Sequence, residues 1–166
     1  MFNPNDTQWD DKVSDSYGFP DGEHVTFISD VGVGFSNSGT PYVELEFTCH
    51  DPASKSRNKS QRFEKFWTSE KALPRLVRLC RAAGVVKSFD LGDESSVQDA
   101  LLDRLVRVEV KTKPDTYQGV TRMRSEVSKA SRLKDSEKAR LIAEYGETML
   151  PALKDGDESL DDVAPF

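Results

Sequence analysis

The chain has 166 residues, a formal net charge of -6, 36% hydrophobic residues and 31% charged residues. This composition fits one ordinary domain with polar ends, and it excludes the class of chains that stay disordered for lack of apolar residues. No stretch approaches the roughly 20 apolar residues that span a bilayer, and the N-terminus lacks the plan of a secretory signal peptide. We therefore expect a cytoplasmic protein with no membrane partner.

Charge is divided unevenly along the chain. Residues 1–23 carry six acids and one base, and residues 155–166 carry five acids and no base, so the part between them holds 22 bases against 18 acids. Within that part, residues 104–134 hold nine bases and three acids. A basic body with acidic ends is typical of nucleic-acid-binding proteins, although charge clustering on a solvated surface explains the same counts.

Two strands follow a polar lead-in. Residues 1–20 show no apolar period and predict a flexible N-terminal segment, with the turn signal "PDGE" at its end. A β pattern begins at "HVTFISDV", and "GVGFSNSGTP" supplies hairpin chemistry before "YVELEFTCH". In this second strand Val43, Leu45 and Phe47 alternate with other residues, which is the period of a half-buried strand.

A third strand and a helix occupy the centre of the chain. The polar and basic run "DPASKSRNKSQ" predicts an exposed loop, and "RFEKFW" predicts the strand. The next segment has one apolar stripe at helical spacing, made by Leu73, Leu76, Val77 and Cys80. Because proline is tolerated only in a first turn, Pro74 places the helix start near Ala72, and Gly84 is its natural end.

Two more strands and two more helices complete the pattern. "DESSVQDALL" predicts a short capped helix, and the alternating "RLVRVEVKTK" predicts a fourth strand. After the turn "PDTYQG", the run "VTRMRSEVSKAS" predicts a fifth strand, and "DSEKARLIAEYGETML" predicts a C-terminal helix. The acidic tail begins near Asp155.

Five strands with a helix between the third and fourth give the element order of an OB fold, a small and partly open barrel that binds oligonucleotides. We therefore predict a mainly β protein with a five-stranded OB-type barrel, a C-terminal helix and a disordered acidic tail. The predicted divisions are a lead-in over 1–20, the OB-fold domain over 21–134, a helical segment over 135–154 and the tail over 155–166. Other five-stranded barrels fit this order almost as well.

The body of the chain resembles a family of bacteriophage proteins. The segments "PDGEHVTFISDV", "TPYVELEFTC", "RFEKFW" and "KALPRLVRLCRAAGV" carry the resemblance, which covers roughly residues 19–130. That family, long catalogued as a domain of unknown function, is thought to comprise single-stranded DNA-binding proteins with an OB fold. The resemblance implies the same fold and the same partner, single-stranded DNA, for this chain.

The tail resembles the end of bacterial single-stranded DNA-binding proteins, which close on Asp-Asp-Asp-Ile-Pro-Phe. Here Asp161, Asp162, Pro165 and Phe166 match, whereas the acidic run is one residue shorter and Ala164 replaces the branched residue. In those families the tip docks replication and repair enzymes. The resemblance therefore implies that this tip binds replication or recombination proteins, with the terminal ring in an apolar pocket and the acids against basic residues at its rim.

Binding of single strands without sequence preference needs a cationic groove for the phosphates and flat aromatic faces for the bases. The predicted phosphate contacts are the basic residues around the third, fourth and fifth strands: Lys55, Arg57, Lys59, Arg62, Lys65, Arg107, Lys111, Lys113, Arg122 and Arg124. The predicted stacking residues are Tyr42, Phe66, Trp67 and Tyr117. Phe66 and Trp67 point to opposite faces of their strand, so we expect only one to be available to a base, and the sequence leaves open which. Taken singly, each of these residues is equally well explained as a solvated charge or a core aromatic.

No pattern in the sequence predicts catalysis, a cofactor or a bound metal. The chain has two His and two Cys, and the neighbours Cys49 and His50 would point to opposite faces of a strand. The glycine-rich "GVGFSNSG" leads into a strand, whereas a phosphate-binding loop would lead into a helix. We read Cys49 and Cys80 as reduced core thiols.

The leading hypothesis is a non-enzymatic protein that coats single-stranded DNA during phage replication or recombination, in the bacterial host cytoplasm if it is phage-encoded. A β-barrel adaptor that binds protein without nucleic acid is the alternative. A small metal-dependent nuclease, using acids between Asp90 and Asp103, is the third. The sequence leaves open a homo-oligomer, the number of nucleotides bound per protomer, and the preference between DNA and RNA.

Overall fold

A computed structural model describes Asn3 and residues 19–49, 51–146 and 164–165 of the chain. Its elements are β1 (Gly22–Phe35), β2 (Pro41–Cys49), β3 (Ser60–Trp67), α1 (Leu73–Ala82), α2 (Glu94–Leu101), β4 (Leu105–Tyr117), β5 (Val120–Ser131), α3 (Asp135–Tyr145) and β6 (Ala164–Pro165). The predicted mainly β class is confirmed, with five long antiparallel strands and three helices. Pro74 is in the first turn of α1, as its missing N–H requires.

The strands form one antiparallel sheet in the order β3-β2-β1-β4-β5-β6. The central strand β1 is shared, because Gly22–Phe27 pairs with β4 while Thr26–Phe35 pairs with β2. A register shift between Ile28 and Asp30 follows directly after Thr26 and Phe27, the two residues that pair with both partner strands. A bulge at such a point bends the strand and curls the sheet.

The main core lies on one face of this sheet. Strand alternation turns Val43, Leu45 and Phe47 inward, and all three are buried. Helices α1 and α2 cover the core with Leu76, Leu79, Val97 and Leu101. Phe19, which belongs to the segment predicted as a lead-in, is 2% exposed and packs in the same core.

Side chains, rather than a backbone ladder, join β3 to β5 in the part of the chain that the structure describes. Gln61 Nε2 donates to the Ser125 carbonyl oxygen at 3.1 Å, and Glu64 Oε1 accepts from the Val127 N–H at 3.1 Å. Arg75 of α1 donates to the Val127 carbonyl at 2.9 Å. We call Gln61, Glu64 and Arg75 the polar seam. The sheet is therefore not closed by strand pairing, and the predicted barrel is not confirmed.

Two ion pairs fix α3 to the loop between β2 and β3. Arg140 contacts Asp51 through Nη2–Oδ2 at 2.6 Å and Nε–Oδ1 at 3.3 Å. Arg57 Nη2 contacts Glu144 Oε1 at 2.7 Å, and its guanidinium lies 5.5 Å from the ring centroid of Tyr145. Beneath them, a second small cluster packs Leu141 against apolar residues of β1 and β4.

The short strand β6 continues the sheet beyond β5, where Ala164 pairs with Ala130 and Pro165 with Lys129. The acidic run predicted as a disordered tail, residues 155–162, lies outside the described residues. Within the described ranges, no helix combines the length and the apolar character that a bilayer crossing demands.

Candidate nucleic-acid interface

A cleft of about 740 Å³ lies between β3 and the hairpin formed by β4 and β5. Its floor is formed by the polar seam residues Gln61 and Glu64 together with Ser125. Four of the basic residues predicted from the sequence line it: Lys59, Arg62, Arg122 and Arg124. They come from the two sides of the cleft, so the fold brings together cations that are about 60 residues apart in the chain.

A β-bulge in β3 turns an unexpected aromatic residue into this cleft. In the pairing with β2, Leu45 opposes Glu64 and Phe47 opposes Gln61, so Arg62 and Phe63 together span the position opposite Glu46. Phe63 adopts a φ of 60°, a left-handed conformation that bulky side chains rarely take. Its side chain is 60% exposed and lines the cleft. Bulges of this kind re-aim side chains beside binding sites.

The opposite wall presents Met123 of β5. Met123 lies two residues from Ser125 and four from the buried Val127, so strand alternation puts its side chain on the face that carries the seam. It is 66% exposed and lines the same cleft. Two large apolar side chains thus line a cleft that also contains three arginines and a lysine.

Acidic neighbours moderate the charge of the cleft. Arg62 Nε lies 3.0 Å from Glu46 Oε2, and Arg124 Nη1 lies 3.7 Å from Asp115 Oδ2. These arginines are 56% and 64% exposed, and ion pairs so exposed contribute about 0–1 kcal/mol. Phosphate oxygens can therefore replace the carboxylates at little cost.

A second aromatic group lies on the outer face of β2 and β3. Tyr42 and Trp67 meet edge to face with ring centroids 5.3 Å apart, and Lys65 Nζ lies 4.8 Å from the Tyr42 centroid. A Cβ at Gly34 would fall 2.7 Å from the Tyr42 hydroxyl oxygen, so the missing side chain makes room for this ring. Phe66, in contrast, is 0% exposed. Of Phe66 and Trp67, the residue outside the core is Trp67.

The other basic residues predicted for phosphate binding lie apart from the cleft. Lys55 is exposed on the loop between β2 and β3. Arg57 is bound to α3, as described above, and Arg107 donates from Nε to Ser131 Oγ at 2.9 Å. Lys111 and Lys113 pair with Glu109 and Glu126 at 3.5 and 2.7 Å. These five residues, together with Lys65, lie elsewhere on the sheet and its loop and do not line the cleft.

The remaining predicted residues belong to the hairpin tip and the tail. Tyr117 ends β4, but its side chain lies outside the described part of the structure. Pro165 is in β6, next to Lys129. Asp161, Asp162 and Phe166 lie outside the described residues.

Two buried titratable groups among the described residues have raised pKa values. Burial raises the pKa of Glu64, and the hydrogen bonds from Gln61, Arg75 and the Val127 N–H offset part of this rise. Burial also raises the pKa of the Cys80 thiol to about 12, which keeps it protonated and unreactive at neutral pH. Among the described residues, no group of three or more His, Cys, Asp or Glu side chains is arranged to hold a metal ion.

Neither a protein-family model nor a curated protein sequence matches the chain. The resemblance to phage proteins and to bacterial tails therefore stays a prediction. The functional interpretation therefore rests on the geometry of the cleft. Two of its residues, Phe63 and Met123, were not predicted as site residues. In the sequence, Phe63 could have been noticed because it follows an arginine in "RFEKFW". Met123 could have been noticed because it lies between two arginines in "RMR".

Proposed function

We propose that this protein binds single-stranded DNA without sequence preference and serves phage replication or recombination, without enzymatic activity. The observation that carries the proposal is the cleft, where four cations from the two sides surround two exposed apolar side chains. Sequence-independent binding of single strands uses this combination, in which cations follow the phosphates and apolar or aromatic faces receive the bases.

The strand order supports an OB-type architecture for the body. In an OB fold a long, bent first strand pairs with both the second and the fourth, as β1 does here with β2 and β4. The polar seam holds β3 beside β5, where strand pairing would close such a barrel. We therefore propose a partly open five-stranded barrel whose open edge is the cleft.

β3 connects the cleft to the outer aromatic group. Phe63 and Trp67 are four residues apart, which corresponds to roughly 13 Å along a strand. Lys65 lies between them and faces the ring of Tyr42. A single strand running along β3 would meet two stacking sites, with Lys65 between them.

The tail supplies the proposed second activity, recruitment of partner enzymes through Pro165 and Phe166. A terminal phenylalanine next to carboxylates fits an apolar pocket with a basic rim. Contacts of this kind are weak and sensitive to salt, because a flexible segment must become ordered and its charges are screened.

The first test is a titration of a fluorescently labelled thymidine oligomer of about 30 nucleotides, followed by anisotropy at several salt concentrations. We expect a steep loss of affinity with salt. Replacing Arg122 and Arg124 together by Glu should weaken binding at least tenfold, because two phosphate contacts become repulsive. The matched control replaces Arg78 and Arg81, two exposed arginines of α1, by Glu as well. It should change the affinity for the oligomer less than about threefold.

Each negative result of this experiment has a meaning. If the native chain does not bind the oligomer at about 50 mM salt, the proposal fails and the protein-binding adaptor is favoured. Equal losses in the cleft and control variants would show that only net charge matters. Cleavage of the labelled strand with Mg²⁺ or Mn²⁺ would favour the nuclease.

A further inference from the structure

We infer that the cleft holds one unstacked base between the ring of Phe63 and the side chain of Met123. This site would be separate from the outer pair of Tyr42 and Trp67. The inference rests on the proposed function and deepens it, because it locates base recognition at residues that strand alternation alone does not single out. It also gives the protein a physical means of distinguishing single strands from duplexes.

Phe63 combines two unfavourable features that a purely structural residue would avoid. Its ring is 60% exposed, and its backbone has a φ of 60°. Asparagine or glycine would take this conformation more easily, and a polar side chain would suit the exposure better. Strained positions persist where the surrounding structure imposes them, and they cluster at ligand sites. Here the bulge opposite Glu46 imposes the strain and turns the ring into the cleft.

Met123 provides the facing wall. A thioether is polarizable and makes favourable contacts with aromatic rings, so it can pack against the second face of a base. Arg122 and Arg124 flank it along β5. Strand alternation starts their side chains on the opposite face, but both residues line the cleft, and their long side chains can reach the phosphates on either side of the inserted nucleotide. Among the described residues, no acidic side chain lies within ion-pair distance of Arg122.

The floor of the cleft is polar, but its groups already bond to one another. Gln61 Nε2 donates to Glu64 Oε1 at 2.7 Å and to the Ser125 carbonyl, and Gln61 Oε1 accepts from the Phe19 N–H at 2.9 Å. Thr112 Oγ1 donates to Asp21 Oδ1 at 2.5 Å. Hydrogen bonds to base edges would have to break these bonds. The site therefore recognises a base by its flat face, which every base has and which stacking conceals in a duplex.

The experiment compares two oligomers of equal length and charge, one of thymidine and one of abasic residues, by fluorescence anisotropy. We expect the native chain to prefer thymidine roughly tenfold or more, since one stacked base contributes that much. Phe63→Leu keeps an apolar side chain but removes the aromatic face, so this preference should fall at least fivefold while abasic affinity stays the same. Phe35→Leu is the control, because Phe35 is a 73% exposed ring outside the cleft, and it should leave the preference unchanged.

The outcomes separate this inference from the proposed function. If Phe63→Leu retains the native preference for thymidine, the base stacks elsewhere and the inference is wrong, while DNA binding stands. If the native chain binds neither oligomer, the proposed function itself fails. The variant Phe63→Trp provides a second test, by tryptophan fluorescence, that does not depend on the leucine variant. Its added fluorescence, compared with the native chain, should be quenched by thymidine and not by the abasic oligomer, and an absence of quenching at saturation would overturn the inference.

Discussion

Three polar side chains at the seam replace the hydrogen bonds that a pair of strands would make. Glu64 is central, because its Oε1 accepts both the Gln61 amide and the Val127 N–H, while Oε2 lies 3.5 Å from Arg75 Nη2. Glu64 is 6% exposed, and burial raises the pKa of its carboxyl group. A raised pKa in the folded state contributes stability below the unfolded pKa, and this contribution is lost as the pH rises through the folded value. The hydrogen bonds that Glu64 accepts from Gln61 and the Val127 N–H favour its ionised form, so they offset part of the cost of burying it.

We predict that Glu64→Ala destabilises the protein by about 2–3 kcal/mol at neutral pH, because two buried donors lose their acceptor. Urea denaturation followed by circular dichroism measures the change. Asp115→Ala is the control, since Asp115 is 54% exposed in its pair with Arg124, and such pairs contribute about 0–1 kcal/mol. Similar losses in both variants would mean that the seam does not hold β3 to β5.

The seam and the bulge mark the limit of what the sequence alone predicts. Alternation in the second strand correctly placed Val43, Leu45 and Phe47 in the core, since period-2 burial is a local property. In "RFEKFW" the same rule would give Arg62, Glu64 and Phe66 one face, yet Arg62 is exposed while Gln61 is buried with Glu64 and Phe66. The bulge depends on bonds from Gln61 and Glu64 to β5, more than 60 residues away, so no local pattern encodes it.

The candidate site, like the fold, was predicted only in part from the sequence. The four basic residues of the cleft were all predicted from the sequence, because cations near predicted strands can be read directly from it. The prediction also included cations that lie elsewhere, because the face on which a side chain emerges depends on sheet curvature. It did not single out Phe63, since exposed aromatic residues are recognised only when the backbone conformation is known.

At the scale of the elements, α3 is held in place partly by polar contacts. Its apolar contribution is small, with Leu141 as its one buried residue, and the bidentate contact of Arg140 with Asp51 holds it to the loop before β3. Burial tends to raise the pKa of Asp51, but the hydrogen bonds from Arg140 and the Ala53 N–H outweigh this effect, so its pKa is lowered. A lowered pKa contributes stability above the unfolded value near 3.8, and this stability is lost as the pH falls through the folded value.

We predict that Asp51→Asn lowers the free energy of unfolding by about 1–2 kcal/mol at pH 7, because a charged hydrogen bond to Arg140 is lost. The difference from the native chain should shrink as the pH falls below the ordinary pKa of Asp, since a protonated Asp51 resembles Asn. Urea midpoints measured from neutral to acid pH test this. Glu144→Gln, in the exposed pair with Arg57, should cost less than about 1 kcal/mol. A difference that is constant at all pH values would contradict the role given to the Asp51 charge.

At the scale of the whole molecule, the basic body and the acidic tail carry opposite charges. The tail residues 155–166 hold five acids and no base, while the cleft is lined by cations. Ala164 and Pro165 pair with Ala130 and Lys129 of β5, the strand that also provides Arg122 and Arg124. Two physical effects can therefore bring the tail to the body, attraction between charges and addition of a strand to the β5 edge. Their dependence on salt differs, because screening weakens the first and hardly affects the second.

We predict that deleting residues 155–166 tightens binding of the thymidine oligomer about two- to tenfold at low salt, since the tail carboxylates compete with phosphates for the same cations. The effect should vanish at high salt. A full-length variant with the five tail acids changed to Asn or Gln separates the two effects, because it keeps Ala164 and Pro165. If it binds DNA as tightly as the deletion, charge is the cause; if it binds like the native chain, strand pairing is. Unchanged or weaker binding after deletion would refute competition by the tail, because any segment that occupies the DNA site must leave it more accessible when removed.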